Sequence, residues 1–223
     1  MKKKNIVAIS GVMTVVGVIS ILLLGTQAQA GVTTLTVNVY PGEYHQGDFI
    51  DVDIICMPDS YVKAWECKLN FNNNVLNAVQ VEEGNFFSGY QTFFNAGTID
   101  NVQGTIINMY NLIIGQGNVT GEGTIVTITF QAVGYGLCNI SLYDVGITNE
   151  TMYIPSAFIN TSVFVYSPYD MNCDRVVNLQ DIIAVALHYG ETGAPGWIPE
   201  DVYRNGRIGV FDMVLVAVHW GEY

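Results

Sequence analysis

The chain has 223 residues, of which 50% are hydrophobic, 12% aromatic and 13% charged. Its 20 Asp and Glu residues against eight Lys and Arg give a formal charge of −12 at pH 7. This composition argues against a disordered chain. It also argues against nucleic acid as a partner, because an acidic surface repels a phosphate backbone, and it favours cations instead.

Residues 1–30 predict a signal peptide. Three lysines at positions 2–4 precede an apolar stretch from Ile6 to Gly25, and Ala28-Gln29-Ala30 has the small-x-small pattern of a cleavage site. Because the apolar stretch is longer than a usual signal-peptide core, an uncleaved membrane anchor is the alternative. Both interpretations place residues 31–223 outside the cytoplasm, either secreted or at the cell surface.

Residues 31–166 predict an all-β domain. Apolar and polar residues alternate in short runs, as they do from Ile50 to Cys56 and from Trp65 to Phe71. Glycine-rich segments such as Gly134-Tyr135-Gly136 separate the runs. Many short strands at this spacing predict a sandwich or a jelly roll.

The four cysteines allow two interpretations. A location outside the cytoplasm permits disulfides, and the sequence does not choose among the three possible pairings. Alternatively, the cysteines are small buried hydrophobic residues, because three of them stand in phase with apolar neighbours on predicted strands. The four residues are Cys56, Cys67, Cys138 and Cys173.

The pattern changes to a helical period after residue 166. Apolar residues at i, i+3, i+4, i+7 and i+8 predict a helix from Leu179 to Leu187, and a second helix is expected from Val210 to Trp220. Residues 181–190 are similar to residues 212–221 at an offset of 31. Residues 167–223 therefore predict a small α-helical domain of two loop–helix repeats.

Each repeat begins with a loop of twelve positions that has the oxygen spacing of a calcium-binding loop. Calcium is a hard ion that binds about six to eight oxygens, and position 7 contributes only its backbone carbonyl. An aspartate at position 12 also begins the helix, where the helix dipole favours a carboxylate. The predicted ligands of the first loop are Asp170, Asn172, Asp174, Val176, Asn178 and Asp181.

The second loop offers fewer ligands but a better turn. Tyr203 stands at position 3 and Gly209 at position 9, whereas Gly206 stands at position 6, where the loop turns sharply. The first loop has Arg175 at position 6, where a left-handed backbone costs about 1 kcal/mol. The predicted ligands of the second loop are Asp201, Asn205, the carbonyl of Arg207, and Asp212.

The two repeats, with Asp at position 12 and no entering helix, resemble a dockerin domain over residues 168–223. The resemblance implies Ca²⁺ as the cofactor and a cohesin as the partner. It also implies that positions 10 and 11 of each loop select the partner, and apolar residues there predict a hydrophobic contact. These positions are Leu179 and Gln180 in the first repeat, and Val210 and Phe211 in the second.

Residues 31–166 resemble a cohesin domain, the fold that dockerins bind. The resemblance rests on His45-Gln46-Gly47-Asp48, on Leu69-Asn70-Phe71-Asn72 and on the stretch from Gly123 to Phe130. It implies a jelly roll of nine strands in which one flat sheet face receives the dockerin. On that face we expect the outward residues of one strand, Ala64, Glu66, Lys68 and Asn70.

Together the two resemblances imply a secreted, non-catalytic adaptor that assembles extracellular complexes by calcium-dependent cohesin–dockerin binding, with a link to polysaccharide binding or breakdown. The alternative is a cell-surface adhesion or carbohydrate-binding module whose sandwich contacts polysaccharide directly. The carboxylate pairs Asp51/Asp53 and Glu82/Glu83 are better explained as solvated strand positions than as a glycosidase site. We therefore expect that the chain is not an enzyme.

Overall fold

The computed structural model describes residues 31–222. The signal peptide expected over residues 1–30 lies outside these residues. Within residues 31–222, no helix has the length and hydropathy that a membrane span requires. Residues 32–223 form one compact unit, in which a β-rich part is followed by two short helices.

Twelve β-strands lie between residues 33 and 166. Their bounds are Thr33–Val39 (β1), Tyr44–His45 (β2), Phe49–Met57 (β3), Ala64–Asn70 (β4), Leu76–Glu83 (β5), Thr92–Asn95 (β6), Thr98–Asp100 (β7), Thr105–Ile113 (β8), Gly123–Ala132 (β9), Gly136–Thr148 (β10), Ser156–Ile159 (β11) and Thr161–Tyr166 (β12). The expected count of nine strands is wrong for this part of the chain. Strands such as β2 and β7, with two and three residues, are too short for an alternating pattern to reveal them.

The strands form two sheets, and the expected all-β sandwich is confirmed. The first sheet has the order β11–β1–β3–β9–β5. The second has the order β2–β12–β10–β4–β8–β6, with β7 also paired to β8. Most neighbours are antiparallel, while β1 pairs with β11, and β12 with β2, in parallel.

The core lies between the two sheets and takes alternate residues from the strands. On β3, every second residue from Ile50 to Cys56 is almost fully buried. The rings of Phe71 and Phe130 meet edge to face with their centroids 5.1 Å apart. Burial of one large apolar side chain contributes about 1.5–3 kcal/mol, so the alternation decides which face of each strand turns inward.

All four cysteines are free thiols. Cys56, Cys67 and Cys138 are buried in the sandwich core, whereas Cys173 is half-buried in the helical segment. Burial raises the pKa of the Cys56 thiol to about 12, and burial with the nearby charge of Glu66 does the same for Cys67. The structure therefore supports the interpretation of Cys56, Cys67 and Cys138 as small buried hydrophobic residues.

Two helices follow the sandwich, Leu179–Leu187 (α1) and Val210–Val218 (α2). The first helix is confirmed, and the second ends two residues before the expected Trp220. Asn178 caps α1, because its side chain accepts the amide of Gln180. The helical segment has its own small core of residues that pair at the 31-residue offset, Val177 with Ile208 and Val185 with Val216.

The helical segment contacts one end of the sandwich. The hydroxyl of Tyr135 donates a hydrogen bond of 3.0 Å to Glu222. The guanidinium of Arg175 lies 5.0 Å from the ring centroid of Phe164 on β12. Neither contact involves β4 or β8, the strands on which the predicted partner-binding face lies.

Candidate functional site

The outer face of the second sheet is the first candidate site. Alternation along β4 buries Trp65, Cys67 and Leu69. The other side of the strand therefore faces outward, and the structure places all four predicted partner-facing residues there. These are Glu66 and Asn70, which are exposed, and Ala64 and Lys68, which are half-exposed.

Two polar contacts orient side chains on this face. Glu66 accepts a hydrogen bond of 3.0 Å from the hydroxyl of Tyr153, and this bond raises the pKa of Tyr153. Lys68 donates a hydrogen bond of 2.8 Å to Asp144, which raises the pKa of Lys68. Because these groups are accessible to water, the contacts orient the side chains more than they stabilise the fold.

Apolar residues on the neighbouring strands extend the face. Tyr110 and the exposed Leu112 project from β8, and Phe93 on β6 is 54% exposed, with its ring centroid 6.1 Å from that of Tyr110. A shallow pocket of about 200 Å³ lies between β4, β8 and β10 and is lined by Ala64, Glu66, Tyr110, Leu112, Gly146 and Tyr153, among others. The face thus combines an apolar patch with oriented polar groups.

The sequence prediction missed the apolar residues of this face. Leu112 stands between buried Asn111 and Ile113, so its outward phase was visible in principle. Phe93 lies on a strand of only four residues, where alternation carries little information. The pairing of β6 with β8, which brings Phe93 beside Leu112, is not local in the sequence.

The cohesin domain family matches residues 33–148, which is more than half of the chain. The chain belongs to the cohesin family. The match ends at residue 148, so the dockerin resemblance of the following segment stays a prediction. No curated protein matches the sequence.

Several solved cohesin structures are similar to this cohesin domain. A type I cohesin–dockerin complex from Clostridium thermocellum aligns at 12% identity and a TM-score of 0.50, covering 60% of this chain and 93% of that one. A non-cellulosomal cohesin from the archaeon Archaeoglobus fulgidus aligns at 18% identity and a TM-score of 0.49, covering 61% and 93%. A type II cohesin from Acetivibrio cellulolyticus aligns at 10% and 0.49, covering 60% and 95%. Identities this low bear on the fold alone.

Cohesin domains are non-catalytic scaffolding modules, in agreement with the expectation for this part of the chain. The carboxylate pair on β3 has a local explanation in the cohesin domain. Asp51 accepts a hydrogen bond of 2.7 Å from the hydroxyl of Thr129, and Asp53 one of 2.7 Å from Thr127. Both threonines lie on β9, so these contacts join two neighbouring strands.

The segment after the cohesin domain contains the two predicted calcium loops. In the first loop, the carboxylates at positions 1 and 12 are buried and accept backbone amides. Asp170 accepts the amides of Asp174 and Arg175 at 3.1 and 2.8 Å. Asp181 accepts those of Met171, Asn172 and Asn178 at 2.8, 3.3 and 2.7 Å, which closes the loop onto the start of α1.

The remaining polar groups of the first loop lie close together. The side-chain nitrogens of Asn172 and Asn178 face the oxygens of Asp174 and Val176, and the Asn178 oxygen accepts the amide of Gln180. Asp174 Oδ2 lies 3.0 Å from Asn172 Nδ2 and 3.5 Å from Asn178 Nδ2, and the Asn178 amide lies 2.9 Å from the carbonyl of Val176. Positions 3, 5, 7 and 9 therefore meet at one place. Burial raises the pKa of Asp170, and the nearby charges of Asp181 and Asp174 raise it further.

This donor set fits calcium rather than a softer ion. Within residues 31–222, no three His, Cys, Asp or Glu side chains gather as a metal site by themselves. A cation in the first loop would therefore rely on amide and carbonyl oxygens beside the carboxylates, and such oxygens are what calcium prefers. The buried carboxylates lie close enough for their charges to interact, which a bound cation would offset.

The second loop has backbone hydrogen bonds like those of the first, but its side chains do not cluster in the same way. Asp201 and Asp212 are buried and accept backbone amides as their counterparts do. The side chain of Tyr203, however, leaves the loop and stacks on Phe211, with the ring centroids 5.6 Å apart. Because Gly209 has no side chain, only the predicted ligands Asp201, Asn205, Asp212 and the carbonyl of Arg207 remain.

The sharp turn at position 6 occurs in both loops. Gly206 has φ of 79° and Arg175 has φ of 76°. The left-handed backbone expected at Arg175 is thus present at a non-glycine residue. The contact of its guanidinium with Phe164, worth about 0.5–1 kcal/mol at an exposed site, partly offsets the strain.

The four predicted partner-selecting residues, at positions 10 and 11 of the loops, are all exposed. Phe211 is 68% exposed and is the one aromatic residue among the four. Apolar side chains continue this surface along both helices at four-residue spacing, so each helix carries an outward apolar stripe. The stripes are Leu179, Ile183 and Leu187 on α1, and Val210, Val214 and Val218 on α2.

Proposed function

We propose that the chain is a non-catalytic extracellular adaptor whose cohesin domain binds a dockerin module of another protein. The observation that carries this proposal is the family match over residues 33–148 together with the outward β4–β8 face. The similar fold from Clostridium thermocellum belongs to a cohesin–dockerin complex. We place the contact on the face that carries Ala64, Glu66, Lys68 and Asn70.

The chemistry of this face suits a partner with an apolar helix surface. Leu112 and Phe93 supply exposed apolar area, and the pocket of about 200 Å³ has room for an aliphatic side chain. Glu66 and Lys68, held by Tyr153 and Asp144, supply oriented charges at its border. An apolar centre with a polar rim is the usual anatomy of a protein interface.

The cohesin chain offers a matched pair of variants for a test. Phe93 on the proposed face and Phe49 on the opposite sheet are 54% and 62% exposed. We expect Phe93→Asp to weaken binding to a purified dockerin module about tenfold or more, because a charge enters an apolar contact. Surface plasmon resonance against a panel of dockerin modules, with residues 167–223 as one member, measures this.

Phe49→Asp is the control, and it should bind as the unchanged chain does. If binding survives Phe93→Asp, or if both variants lose it equally, the interface lies elsewhere.

We further propose that residues 167–223 form a dockerin-like, calcium-binding domain that docks on a cohesin. The buried carboxylates, and the clustering of the polar groups at positions 3, 5, 7 and 9 of the first loop, support Ca²⁺ as the cofactor. The residues that would hold it are the six predicted first-loop ligands, from Asp170 to Asp181. When bound, Ca²⁺ neutralises the carboxylates and fixes the loop against α1.

The predicted docking residues of this domain are Leu179, Gln180, Val210 and Phe211, which begin the two apolar stripes. Contiguous exposed apolar surface often marks an interaction site. One molecule would then carry a cohesin and a dockerin-like module and join two others. Such a role fits a secreted or cell-surface protein, as residues 1–30 predict.

The alternative, direct contact of the sandwich with polysaccharide, would use exposed aromatic rings. Phe93 and Tyr110 lie together on the β4–β8 face, whereas Tyr153 and Tyr166 do not form a row with each other. A sugar-stacking surface needs aromatic rings in one row. Tyr153 is bonded to Glu66 on β4, whereas Tyr166 packs against Phe164 and His45 at the other edge of the sheet. Affinity electrophoresis in gels that contain soluble polysaccharides would detect such binding.

A further inference from the structure

Equivalent backbone hydrogen bonds hold the two predicted calcium loops. In the first loop, Val177 bonds Glu222 and Gly221, through an N–H to the carbonyl of Glu222 at 3.0 Å and a carbonyl to the N–H of Gly221 at 2.8 Å. In the second loop, Ile208 bonds Glu191 and Gly190 in the same way, at 3.0 and 2.9 Å. Each loop is therefore held by the segment that follows the helix of the other repeat.

The segment between the repeats donates two hydrogen bonds to the second loop, whereas the additional amide of the first loop comes from its own Met171 and binds Asp181. The amide of Gly193 donates to the carbonyl of Gly206 at 3.0 Å. The amide of Gly196 donates to Asp201 Oδ2 at 2.7 Å, so this carboxylate accepts three backbone amides. Among the described residues, its counterpart Asp170 accepts only the two amides within its own loop.

The same loop lacks two of the side chains that would hold an ion. At position 3, the ring of Tyr203 turns outward onto Phe211. At position 9, Gly209 provides no oxygen beyond its backbone, where the first loop has Asn178. Oriented amides stabilise a buried carboxylate much as a cation does, since each N–H dipole places positive charge against it.

We infer that the second loop keeps its shape without an ion and that the chain binds a single calcium ion, in the first loop. The inference rests on the proposed calcium role of the first loop and narrows it. It assigns Gly193 and Gly196, which lie outside both loops, as the residues that replace the second ion. The two repeats then have similar backbones, but only the first loop depends on a metal ion for its shape.

Calcium stoichiometry tests the inference directly. Residues 31–223, which contain the whole compact unit, are titrated with Ca²⁺ by calorimetry, and the bound ions are counted by native mass spectrometry. We expect one ion per chain, lost in Asp174→Ala and retained with unchanged affinity in Asn205→Ala. These two residues occupy position 5 of their loops and so form a matched pair.

The possible outcomes separate the inference from the proposed function. Two ions per chain would overturn the inference and leave the proposed calcium role intact. No bound ion would remove both. A single ion that is lost in Asn205→Ala and kept in Asp174→Ala would place the site in the wrong loop and also overturn the inference.

A gain-of-site variant tests whether the second loop binds no ion because it lacks ligand side chains at positions 3 and 9. Gly209 has φ of −153° and ψ of −162°, nearly the values of Asn178, and an added Cβ there would meet nothing within 4 Å. The double variant Tyr203→Asp/Gly209→Asn therefore restores the missing ligands without backbone strain. We expect the count to rise from one ion to two, and a folded double variant that still binds one would contradict the argument.

Hydrogen exchange in the presence of a chelator provides the third measurement. The amides of Gly206 and Arg207 should stay protected, because the segment that contains Gly193 and Gly196 holds this loop. The matching amides of Arg175 and Val176 should exchange faster than they do with calcium. Equal loss of protection in both loops on chelation would overturn the inference.

Discussion

The ring of Tyr203 stacks on the ring of Phe211 at a centroid distance of 5.6 Å, and both side chains are more than half exposed. Position 3 holds the predicted ligand Asn172 in the first repeat, whereas in the second repeat the same position holds Tyr203, which is part of the outer surface. Exposed paired rings present a large, rigid apolar area, which is typical of interface anchors. The aromatic pair makes the second repeat the more hydrophobic of the two.

Phe211→Ala should weaken docking of the C-terminal segment on a cohesin by about 2 kcal/mol, because it removes the largest apolar anchor of this surface. Calcium binding should be nearly unchanged, since Phe211 lies outside the predicted ligand set. Surface plasmon resonance on an immobilised cohesin, with calorimetry for calcium, measures both. Gln180→Ala, at position 11 of the first repeat, is the control and should cost little. An unaltered dissociation constant for Phe211→Ala would remove the claim.

The left-handed turn at position 6 of the second loop should contribute to the thermal stability of the helical segment. Gly206→Ala should destabilise the helical segment by about 1–2 kcal/mol, because φ is 79° there and an added Cβ would lie 2.6 Å from the carbonyl oxygen of Gly193. Thermal unfolding of residues 31–223 measures the effect. Gly209→Ala is the matched control, since Gly209 has an extended backbone and open space around it. Equal midpoints for the two variants would contradict this prediction.

The thiols should differ in reactivity. A thiolate is the reactive form, and a pKa of about 12 leaves Cys56 and Cys67 protonated at pH 8 as well as buried. Cys138 is buried too, whereas Cys173 is half-buried. Burial and nearby carboxylates also raise the pKa of Cys173, so its accessibility is what distinguishes it from the other three. We expect iodoacetamide to label Cys173 in the folded chain and the other three only after denaturation. Peptide mass spectrometry identifies the labelled residues. Rapid labelling of Cys67 in the folded chain would contradict its buried position.

Local patterns predicted much of this fold. The alternation from Ile50 to Cys56 marked a buried strand face because each large side chain contributes burial energy by itself. The left-handed turn at Arg175 followed from its position in the loop, and the structure has φ of 76° there. Each of these features depends on residues close together in the sequence.

Features that depend on distant segments could not be predicted in this way. The contact of Gly196 with Asp201 and that of Gly193 with Gly206 require the course of the segment between the repeats, which has no periodic pattern. The outward turn of Tyr203 depends on where α2 places Phe211. Likewise, the apolar patch around Leu112 exists only because β6 pairs with β8.

Removal of calcium should destabilise the helical segment and leave the cohesin domain folded. Among the described residues, the hydrophobic core of the segment has four buried side chains, Val177, Val185, Ile208 and Val216, so it contributes little against the entropy of ordering the chain. Ligand binding to the folded state alone adds about 2.7 kcal/mol when free calcium exceeds its dissociation constant a hundredfold. Calorimetric scans of residues 31–223 in calcium and in chelator should therefore show a lower-temperature transition for the segment in chelator only.

The variant Asp174→Ala in calcium should give the same scan as the unchanged chain in chelator, because it removes a carboxylate from the convergent first-loop site. Asn205→Ala, at the same position of the second loop, should scan like the unchanged chain in calcium. The transition of the cohesin domain serves as an internal reference in every scan, since its core contains no predicted calcium ligand. Identical scans with and without calcium would show that the segment folds without the ion and would exclude the proposed metal dependence.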